Sequence, residues 1–398
     1  MKKDKLFAVS SRLLEYSLYG LLFFIPISKA WSETFAGFML LFFILKKIAR
    51  PDFSFLKTRA NVFLLFFVLF CLLSMFNSGP FLLKSLRIFF LKWMKYIGIY
   101  LFAQDALRDH KRIKRCVGIL CAAAVLIGID ACFQRLSGMD FLRERKLMSL
   151  VNGVPAITGP FNHYNDFASY LVVILSLLAA LLISGMKNKA LWLFLVAQSM
   201  LLTACLFMTF SRGAWLGFFI AMLLMFYLSG KFRKAVPWIA GAFLLAYFLP
   251  GVKERVLFSF QEQGDADRLI VWGAALRMIS EHPFLGKGLG TFMDHFGNYT
   301  RNLYIQYAHN CYLQIWAETG IFSLAGFLMF AGISLLRGVK AFFQRRDFML
   351  LGIVCGLCGF LAHSFFDTQL YSLQMSFLFW VTMGLLAALT RSGPAVSK

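Results

Sequence analysis

His309 and Asn310 stand directly before an apolar stretch in which Gln314 and Glu318 follow at intervals of four. The interval predicts a helix with Asn310, Gln314 and Glu318 on one face, as candidate substrate contacts, and Asn310 suits the helix N-cap. The positive end of a helix disfavours a protonated imidazole, so we expect His309 to be neutral and able to accept a proton from a hydroxyl. The pattern indicates a general base; the alternative is a histidine that only forms structural hydrogen bonds.

Two arginines, Arg212 and Arg268, are the next candidates, because a planar guanidinium suits a phosphate group. Arg212 lies in FMTFSRGAWLGFF, at a turn between two apolar runs and hence at the boundary of the hydrocarbon. There it either binds an anion or extends its charge into the headgroup region. Arg268 opens a helix after GDAD, and it either binds the same anion or pairs with Asp265 or Asp267.

A basic stripe, consisting of Lys84, Arg87, Lys92 and Lys95, falls within one arc of a predicted helix in an otherwise apolar segment. Charged side chains inside a membrane face a wet cavity or an anion, which makes Lys92 and Lys95 candidate substrate contacts. Alternatively, the helix begins later in the chain and the stripe lies flat on the lipid headgroups as an amphipathic segment. The spacing leaves both interpretations open.

The remaining polar motifs give weaker signals. Among the other histidines, His363 with Asp367, in HSFFDTQLY, comes nearest to the pattern at His309. The glycine-rich GKGLG, residues 286–290, follows no predicted strand and lacks the Lys-Ser/Thr pair of a phosphate-binding loop. We recognise no spacing of metal ligands and no nucleotide motif, so the sequence predicts neither a metal site nor an organic cofactor.

The composition places these residues in a membrane protein. The chain has 398 residues, of which 60% are hydrophobic and only 15% are charged. A soluble domain cannot bury that much apolar surface. The net charge of +22 would suggest nucleic acid in a soluble protein. Here the basic residues lie in short loops between apolar runs, a pattern that sets membrane topology, so we expect no nucleic-acid partner.

Twelve apolar segments approach or reach the length of about 20 residues that a spanning helix needs. The sequence therefore predicts an all-α integral membrane protein with about twelve transmembrane helices. The predicted spans are 13–30, 33–48, 61–77, 86–104, 114–134, 166–184, 189–210, 213–229, 235–250, 312–336, 348–366 and 371–390. Lysine and arginine concentrate in the loops that this count places on one side, so both termini are predicted to be cytoplasmic.

The two long connections are predicted on the opposite side. Residues 135–165 join the fifth and sixth spans, and residues 251–311 join the ninth and tenth. Within the second connection, the apolar spacing of residues 269–279 predicts a helix at the membrane interface, which Pro283 and nearby glycines end. No internal repeat is visible, so we treat residues 1–398 as one membrane domain whose largest extramembrane segment faces outward.

Three motifs together resemble the O-antigen ligase family, polytopic enzymes that include lipopolysaccharide O-antigen ligases and related polymerases. The motifs are FSRGAWLG, DRLIVWGAALRMISEHPFLGKGLGTF and AHNCYLQIWAETGIFSLAGFL, in a core region of about residues 205–330. GPFNHYNDFASYL and HSFFD are looser matches. The strong motifs occur in the family's order and at its topological positions, but they do not distinguish its members by substrate.

The resemblance implies a membrane glycosyltransferase of the GT-C type in the bacterial inner membrane, with a periplasmic active site. The donor would be a glycan on undecaprenyl diphosphate, and the acceptor a hydroxyl on the lipid A core or on another glycan. The reaction would be metal-independent and would invert the anomeric carbon. The family's two functional arginines match Arg212 and Arg268, which would hold the diphosphate. Its essential histidine matches His309, which would deprotonate the acceptor.

Other functions remain open from the sequence. A polymerase that extends the glycan on its lipid carrier, or a protein O-oligosaccharyltransferase, would share these motifs. A transporter or flippase for lipid-linked sugars belongs to another class, and such proteins often show internal repeats and helices broken at mid-membrane. The sequence shows neither feature, and its polar residues cluster at the outer face, which favours an enzyme.

Overall fold

The computed structural model describes residues 2–107, 109–150, 155–231, 251–258, 266–300 and 307–391, together with residues 241, 244, 247 and 248. Helices dominate these ranges, in agreement with the predicted all-α class. They are α1 Lys2–Phe24, α2 Lys29–Ala49, α3 Arg59–Ser74, α4 Leu82–Ile88, α5 Met94–Ala106, α6 His110–Ser137, α7 Tyr164–Ile183, α8 Lys189–Met208, α9 Arg212–Ser229, α10 Val252–Phe258, α11 Ala266–Glu281, α12 Phe292–Phe296, α13 Cys311–Arg345, α14 Phe348–His363 and α15 Leu373–Arg391. Between α6 and α7, β1 Met148–Ser149 pairs antiparallel with β2 Pro155–Ala156.

Seven of the described helices are long and apolar enough to cross a membrane: α3, α6, α7, α8, α9, α13 and α15. α14 is also apolar but has only 16 residues. α1 and α2 cover the first two predicted spans and carry charged residues within their length, such as Glu15 and Lys46. The predicted span 235–250 lies almost wholly outside the described residues, so the total of twelve stays a prediction.

The predicted fourth span is a helical rod with a wide turn in its middle. α4 passes through a π-helical turn, Phe89–Trp93, directly into α5. The rod begins at Leu82, earlier than predicted, whereas the headgroup interpretation of the basic stripe required a later start. A π turn accommodates an extra residue and rotates the side chains that follow it. Lys92 lies within this turn, so the stripe is not one straight face.

Close packing among α7, α9 and α14 positions the end of α14 and the starts of α7 and α9. A Cβ added to Gly356 of α14 would lie 3.2 Å from the carbonyl oxygen of Val173 in α7. A Cβ added to Gly359 would lie 2.8 Å from the carbonyl oxygen of Gly217 in α9. Small residues at helix crossings allow backbones to approach this closely. The end of α14 and the starts of α7 and α9 therefore meet at one place.

α13 is interrupted at Gly320, whose backbone angles (φ 81°, ψ 172°) are not helical. An interruption leaves helix carbonyls without partners in the next turn. The loop after α11 supplies these partners, because the N–H of Lys287 donates to Ala317 and the N–H of Gly288 donates to Glu318, each at 2.9 Å. Broken helices were not predicted from the sequence, so this break is a correction.

The same loop closes the break from its other side. The N–H of Ile321 donates to the carbonyl of Pro283 at 2.9 Å. A side chain at Gly320 has no space, because its Cβ would lie 1.9 Å from the carbonyl oxygen of Phe284. The glycines of residues 286–290 thus pack closely within the protein, with Gly286 against Glu318, Gly288 against Ser78 and Gly290 against Ile88.

The predicted helix at residues 269–279 is confirmed within α11, while its place at the membrane interface stays a prediction. Val271, Ala274 and Met278 are fully buried in a small apolar cluster with α12 and the N-terminal part of α13. Leu269 and Leu276 point away from this cluster and are 65% and 52% exposed. A helix with one buried and one exposed apolar face suits the boundary between protein and lipid.

Candidate active site

His309 occupies the turn directly before α13, with a left-handed backbone (φ 46°) that is uncommon for a residue with a side chain. Asn310 caps the helix as predicted, since its side-chain oxygen accepts two backbone N–H groups of the first turn at 2.9 and 3.1 Å. The N–H of Cys311 donates to the carbonyl of Ser364 at 2.9 Å. The N-terminus of α13 is therefore hydrogen-bonded to the segment that follows α14.

The imidazole of His309 contacts a carboxylate from this segment. Its Nδ1 lies 3.2 Å from Oδ1 of Asp367, which also accepts the N–H of Thr368 at 2.8 Å. The carboxylate side chain is 13% exposed and the imidazole side chain 35%. Burial alone would raise the pKa of the Asp367 carboxyl, but the hydrogen bond with His309 and nearby histidine charges hold that pKa well below its ordinary value. Asp367 is thus a stable anion beside the predicted base.

His363, the nearest rival as a base, has both ring nitrogens engaged by hydroxyl groups. Its Nδ1 lies 2.8 Å from the hydroxyl of Ser169, and its Nε2 lies 3.3 Å from that of Ser211. The Ser211 hydroxyl donates to the side-chain oxygen of Asn165 at 2.7 Å. His363 is 1% exposed. This buried network fixes the turn that precedes Arg212.

Arg212 and Arg268 both lie near the end of α14. Arg212 is the first residue of α9, and a Cβ added to the next residue, Gly213, would lie 2.9 Å from the ring of His363. Arg268 lies in α11, close enough to His363 to act on it electrostatically. Both arginines are half-buried and both interact with other parts of the protein. The start of α9, which carries Arg212, and Arg268 of α11 therefore both lie near His363, four residues before the Asp367 carboxylate that contacts His309.

The three residues singled out from the sequence, His309, Arg212 and Arg268, come from three separate elements that surround residues 363–367. The alternative pairing of Arg268 with Asp265 or with the side chain of Asp267 lies outside the described residues. The arrangement combines two cations, an imidazole and a carboxylate near one end of α14. Such a set can hold an anion beside a group that accepts a proton.

His163 is a further member of this region that the sequence reasoning did not select. It precedes α7, where its Nδ1 accepts the N–H of Asn165 at 3.1 Å. Burial lowers the pKa of its imidazole, the Asp367 carboxylate opposes this shift, and the His309 charge adds to it. In the sequence, His163 could have been found through the looser motif GPFNHYNDFASYL, in which it lies. Asp367 could have been found in the same way through HSFFD.

A cavity of about 210 Å³ lies beside the first turns of α13. Lys84 and Lys92 of the basic stripe line it, and Lys84 also pairs with Asp294 of α12 at 2.5 Å. Its wall is otherwise largely aromatic: Trp93, Tyr96, Phe292, Tyr307 and Tyr371. Lys95 pairs instead with Glu33 of α2. Of the two candidate lysine contacts, only Lys92 borders this cavity in the described part of the chain.

One stretch of the chain contains all three candidate residues: Arg212, Arg268 and His309. Residues 197–328 match the O-antigen ligase family. The resemblance predicted from the motifs is therefore confirmed, and the seven apolar helices make the chain a multi-pass membrane protein. No curated protein matches the sequence.

The O-antigen ligase match does not contain the whole region. It includes Arg212, Arg268 and His309, but Asp367 and His163 lie beyond its two ends. The carboxylate that contacts the imidazole therefore comes from a part of the chain that the family match does not cover. Contacts between the matched and unmatched parts complete the candidate site.

Gln314 and Glu318, predicted as substrate contacts, use their polar atoms within the protein. Glu318 accepts the N–H of Gly290 at 2.9 Å and the hydroxyl of Tyr371 at 3.1 Å, and its other oxygen accepts the Gln314 amide at 3.2 Å. The Gln314 oxygen accepts the N–H of Ala308 at 3.1 Å. Both residues border the cavity, while their hydrogen bonds join α13 to two neighbouring segments.

Proposed function

We propose that the protein is an inverting, GT-C-type glycosyltransferase that moves a glycan from undecaprenyl diphosphate to an acceptor hydroxyl. The O-antigen ligase match supports an enzyme of the ligase or polymerase type. The observation that carries the finer proposal is the contact of His309 with Asp367, near Arg212 and Arg268. As an O-antigen ligase, its acceptor is the lipid A core.

His309 is the proposed general base. When Nδ1 carries the proton that it shares with Asp367, Nε2 presents a lone pair to the acceptor hydroxyl. The hydroxyl oxygen attacks the anomeric carbon opposite the diphosphate, the bond to the diphosphate breaks, and the hydroxyl proton moves to Nε2. Asp367 keeps the imidazole in this tautomer and stabilises the imidazolium that forms.

Arg212 and Arg268 are the proposed ligands of the diphosphate. The electron pair of the broken bond leaves with the diphosphate, where negative charge increases as the bond breaks. Fixed guanidinium groups stabilise such charge and hold the phosphate oxygens in a defined orientation. Because a diphosphate is already an activated leaving group, the proposed reaction uses these residues without an organic cofactor or a metal.

The cavity beside α13 is the proposed binding place for the donor next to the diphosphate. Lys92 supplies positive charge there, and the aromatic wall offers flat apolar surface. Asn310, Gln314 and Glu318 support this place by positioning α13, since their hydrogen bonds are made within the protein. Lys95, paired with Glu33, contributes less to the donor in this proposal.

The charge of the loops supports the proposed orientation. Lysine and arginine concentrate in the loops on the side of the termini, which corresponds to the cytoplasm in the positive-inside pattern. We therefore place the candidate site at the periplasmic face of the bacterial inner membrane. A lipid-linked donor and a lipid-borne acceptor would both reach this site from the outer leaflet.

Two other functions make different demands on the same residues. A polymerase would use the same base and arginines with a lipid-linked glycan as acceptor, and the family match includes this activity type. A flippase would need a passage, and broken helices often build one. The break in α13 is instead closed by backbone hydrogen bonds from residues 283–288, which favours the enzyme.

Purified enzyme with a lipid-linked glycan and lipid A core tests the proposal. His309→Ala should lower transfer by about 10²–10⁴-fold while donor binding persists, because only proton transfer is lost. His282→Ala, a change of the same kind in the outer loop, should transfer normally. Arg212→Gln and Arg268→Gln should weaken donor binding as well as transfer. Transfer at the wild-type rate by the His309→Ala protein would overturn the assignment.

The surface glycan of a deletion strain separates ligase from polymerase. Loss of a ligase leaves bare core while the glycan accumulates on its carrier. Loss of a polymerase leaves core that carries a single repeat unit. The first pattern supports transfer to lipid A core, and the second assigns the same site to chain extension.

A further inference from the structure

A basic cleft lies at the membrane face opposite the candidate active site. It has a volume of about 400 Å³ and is formed by the start of α3 and the last third of α13. Its lining consists of Lys57, Thr58, Arg59, Ile333, Leu336, Arg337 and Lys340. This lining contains four positive charges and no carboxylate. His309 stands at the other end of α13, so the cleft and the candidate site are separated by the length of the helix.

Antiparallel packing of α3 and α13 creates this cleft. The thiol of Cys71 lies 3.4 Å from the hydroxyl of Ser323, and the rings of Phe67 and Phe327 are 5.8 Å apart. The residue number falls along α3 as it rises along α13, so the two helices are antiparallel. This packing brings together basic residues that are distant in sequence. A bias toward lysine and arginine in the loops does not by itself place them in one cleft.

Several basic residues at the same face have carboxylate partners within the protein. The salt bridges are Lys46 and Lys47 with Asp105, Arg50 with Asp4, and Arg112 with Glu15. The four basic side chains of the cleft form no such pair within the part of the chain that the structure describes. Like charges that are held together repel one another unless an anion or water lies between them. The cleft thus has the charge complement of an anionic ligand.

The cleft continues onto surfaces that are exposed and apolar. Leu336 is 69% exposed at its edge on α13. On α3, Val62 and Leu65 are 65% and 68% exposed, one and two turns along from Arg59. Apolar side chains with such exposure on spanning helices contact lipid chains. An occupant of the cleft would have its charged part at the basic residues and its apolar part along these two helices.

We propose that the cleft binds an anionic glycerophospholipid, with its phosphate among Lys57, Arg59, Arg337 and Lys340. The acyl chains extend along Leu336 and the exposed face of α3. Basic pockets between spanning helices are a recognised binding place for anionic headgroups. The lipid joins α3 to α13 at the end of α13 that is remote from the catalytic residues.

A larger cavity at the same face fits this ligand less well. It has a volume of about 950 Å³, and its charged or titratable lining is His110, Lys114, Arg345, Arg346 and Asp347. Its Asp347 carboxylate would repel a phosphate, and the Arg345 guanidinium already donates to the carbonyls of Leu389 and Thr390. Lys114 of this cavity supplies a control position for the basic cleft, because the larger cavity contains a carboxylate and the cleft does not.

Native mass spectrometry of the purified full chain tests the proposal, with phosphatidylglycerol and phosphatidylcholine as probes. Wild-type protein should retain phosphatidylglycerol in preference to phosphatidylcholine. Each basic residue removed should weaken phosphatidylglycerol binding by about fivefold. Lys57→Gln/Lys340→Gln should therefore reduce phosphatidylglycerol binding by about 25-fold, and adding Arg59→Gln and Arg337→Gln should abolish the preference for this lipid. The control Lys111→Gln/Lys114→Gln, which removes the same charge from the same face, should keep the preference.

Three results would overturn the proposal. Equal retention of the two lipids by the wild type would show that the cleft does not select charge, and this result requires no variant to fold. Equal loss in the control pair would show that general surface charge is responsible. Displacement of bound phosphatidylglycerol by excess inorganic phosphate would show that the cleft takes a free anion, since that anion lacks acyl chains.

Discussion

Two polar clusters lie near the N-terminal end of α13, and their hydrogen bonds differ in kind. At Glu318, both carboxylate oxygens accept hydrogen bonds from the protein, and the residue is 1% exposed. At His309, Nδ1 contacts Asp367, while Nε2 has no hydrogen bond to any described residue and the side chain is 35% exposed. The same helix thus carries one polar group that is saturated and one that is available to a ligand.

This difference separates a structural role from a chemical role. A buried polar group with all of its hydrogen bonds made stabilises the arrangement of its partners and has little capacity for a substrate. A partly exposed imidazole that one carboxylate orients retains a nitrogen for proton transfer. Changes at the first cluster should therefore reduce stability, and changes at the second should reduce the rate of transfer.

The largest effect on the rate of transfer is expected for Asp367→Asn, which tests the chemical role of the cluster at His309. The amide cannot stabilise an imidazolium at His309, so we expect kcat to fall by about 10²–10⁴-fold with little change in the amount of folded protein. Transfer assays on purified protein measure this fall. Wild-type kcat in the variant would remove Asp367 from the mechanism.

The acid stability of the same variant provides a second measurement. Because the folded pKa of Asp367 is lower than its unfolded pKa of about 4, its carboxylate stabilises the fold above that pH. The contribution is lost as the pH falls through the folded value. The Tm advantage of wild type over Asp367→Asn should therefore be full above about pH 4 and should shrink below it.

Gly320→Ala should give the largest loss of stability. Its φ of 81° is strained for alanine, and the added Cβ would meet the carbonyl of Phe284 at 1.9 Å. We expect a cost of at least about 1–3 kcal/mol, seen as a lower Tm. Gly332→Ala in the same helix is the matched control, because a Cβ there has no neighbour within 4 Å. Equal Tm values for the two variants would contradict the docked loop.

Glu318→Gln should have a smaller effect of the same kind. The amide is similar in size, but its NH₂ group must face one of the donors that the carboxylate now accepts. The expected loss is about 1–3 kcal/mol, with kcat per folded molecule preserved. Thermal unfolding beside a transfer assay measures both quantities, and exposed Glu254→Gln is the control. A fall in kcat at unchanged Tm would give Glu318 a chemical role and remove the contrast with His309.

The smallest effects are expected in the basic stripe. Lys92→Gln should raise the KM for the lipid-linked donor about fivefold, because Lys92 borders the cavity beside α13. Lys95→Gln removes a partly exposed pair with Glu33, and such pairs contribute about 0–1 kcal/mol. Donor titrations of the two variants compare them directly. The opposite order of KM values would assign the donor contact to Lys95.

The sequence was sufficient for features that depend on neighbouring residues. The Asn310 cap and the helix at residues 269–279 follow from local side-chain chemistry and apolar spacing. The contact of His309 with Asp367 joins residues that are 58 positions apart, and spacing does not determine which helix faces meet. The roles of Gln314 and Glu318 could not be predicted for the same reason. Periodicity identifies a polar helix face, but it does not identify the residues that this face contacts.

The break in α13 shows a second limit of local reasoning. A single glycine in an apolar run is compatible with a continuous helix, so Gly320 gave little warning. The break is stable because residues 283–288 supply its missing hydrogen bonds from another part of the chain. Neither segment would adopt this form alone.

The docked loop also constrains how a long substrate can enter. Residues 311–319, which anchor His309, are attached to the loop through the bonds of Lys287 and Gly288. If the loop lifted to admit a bulky glycan, it would either rupture those two bonds or pull the histidine from its carboxylate partner. The first outcome would leave the carbonyls of Ala317 and Glu318 without partners, and the second would misalign the base, so movement of the loop has a cost in either case.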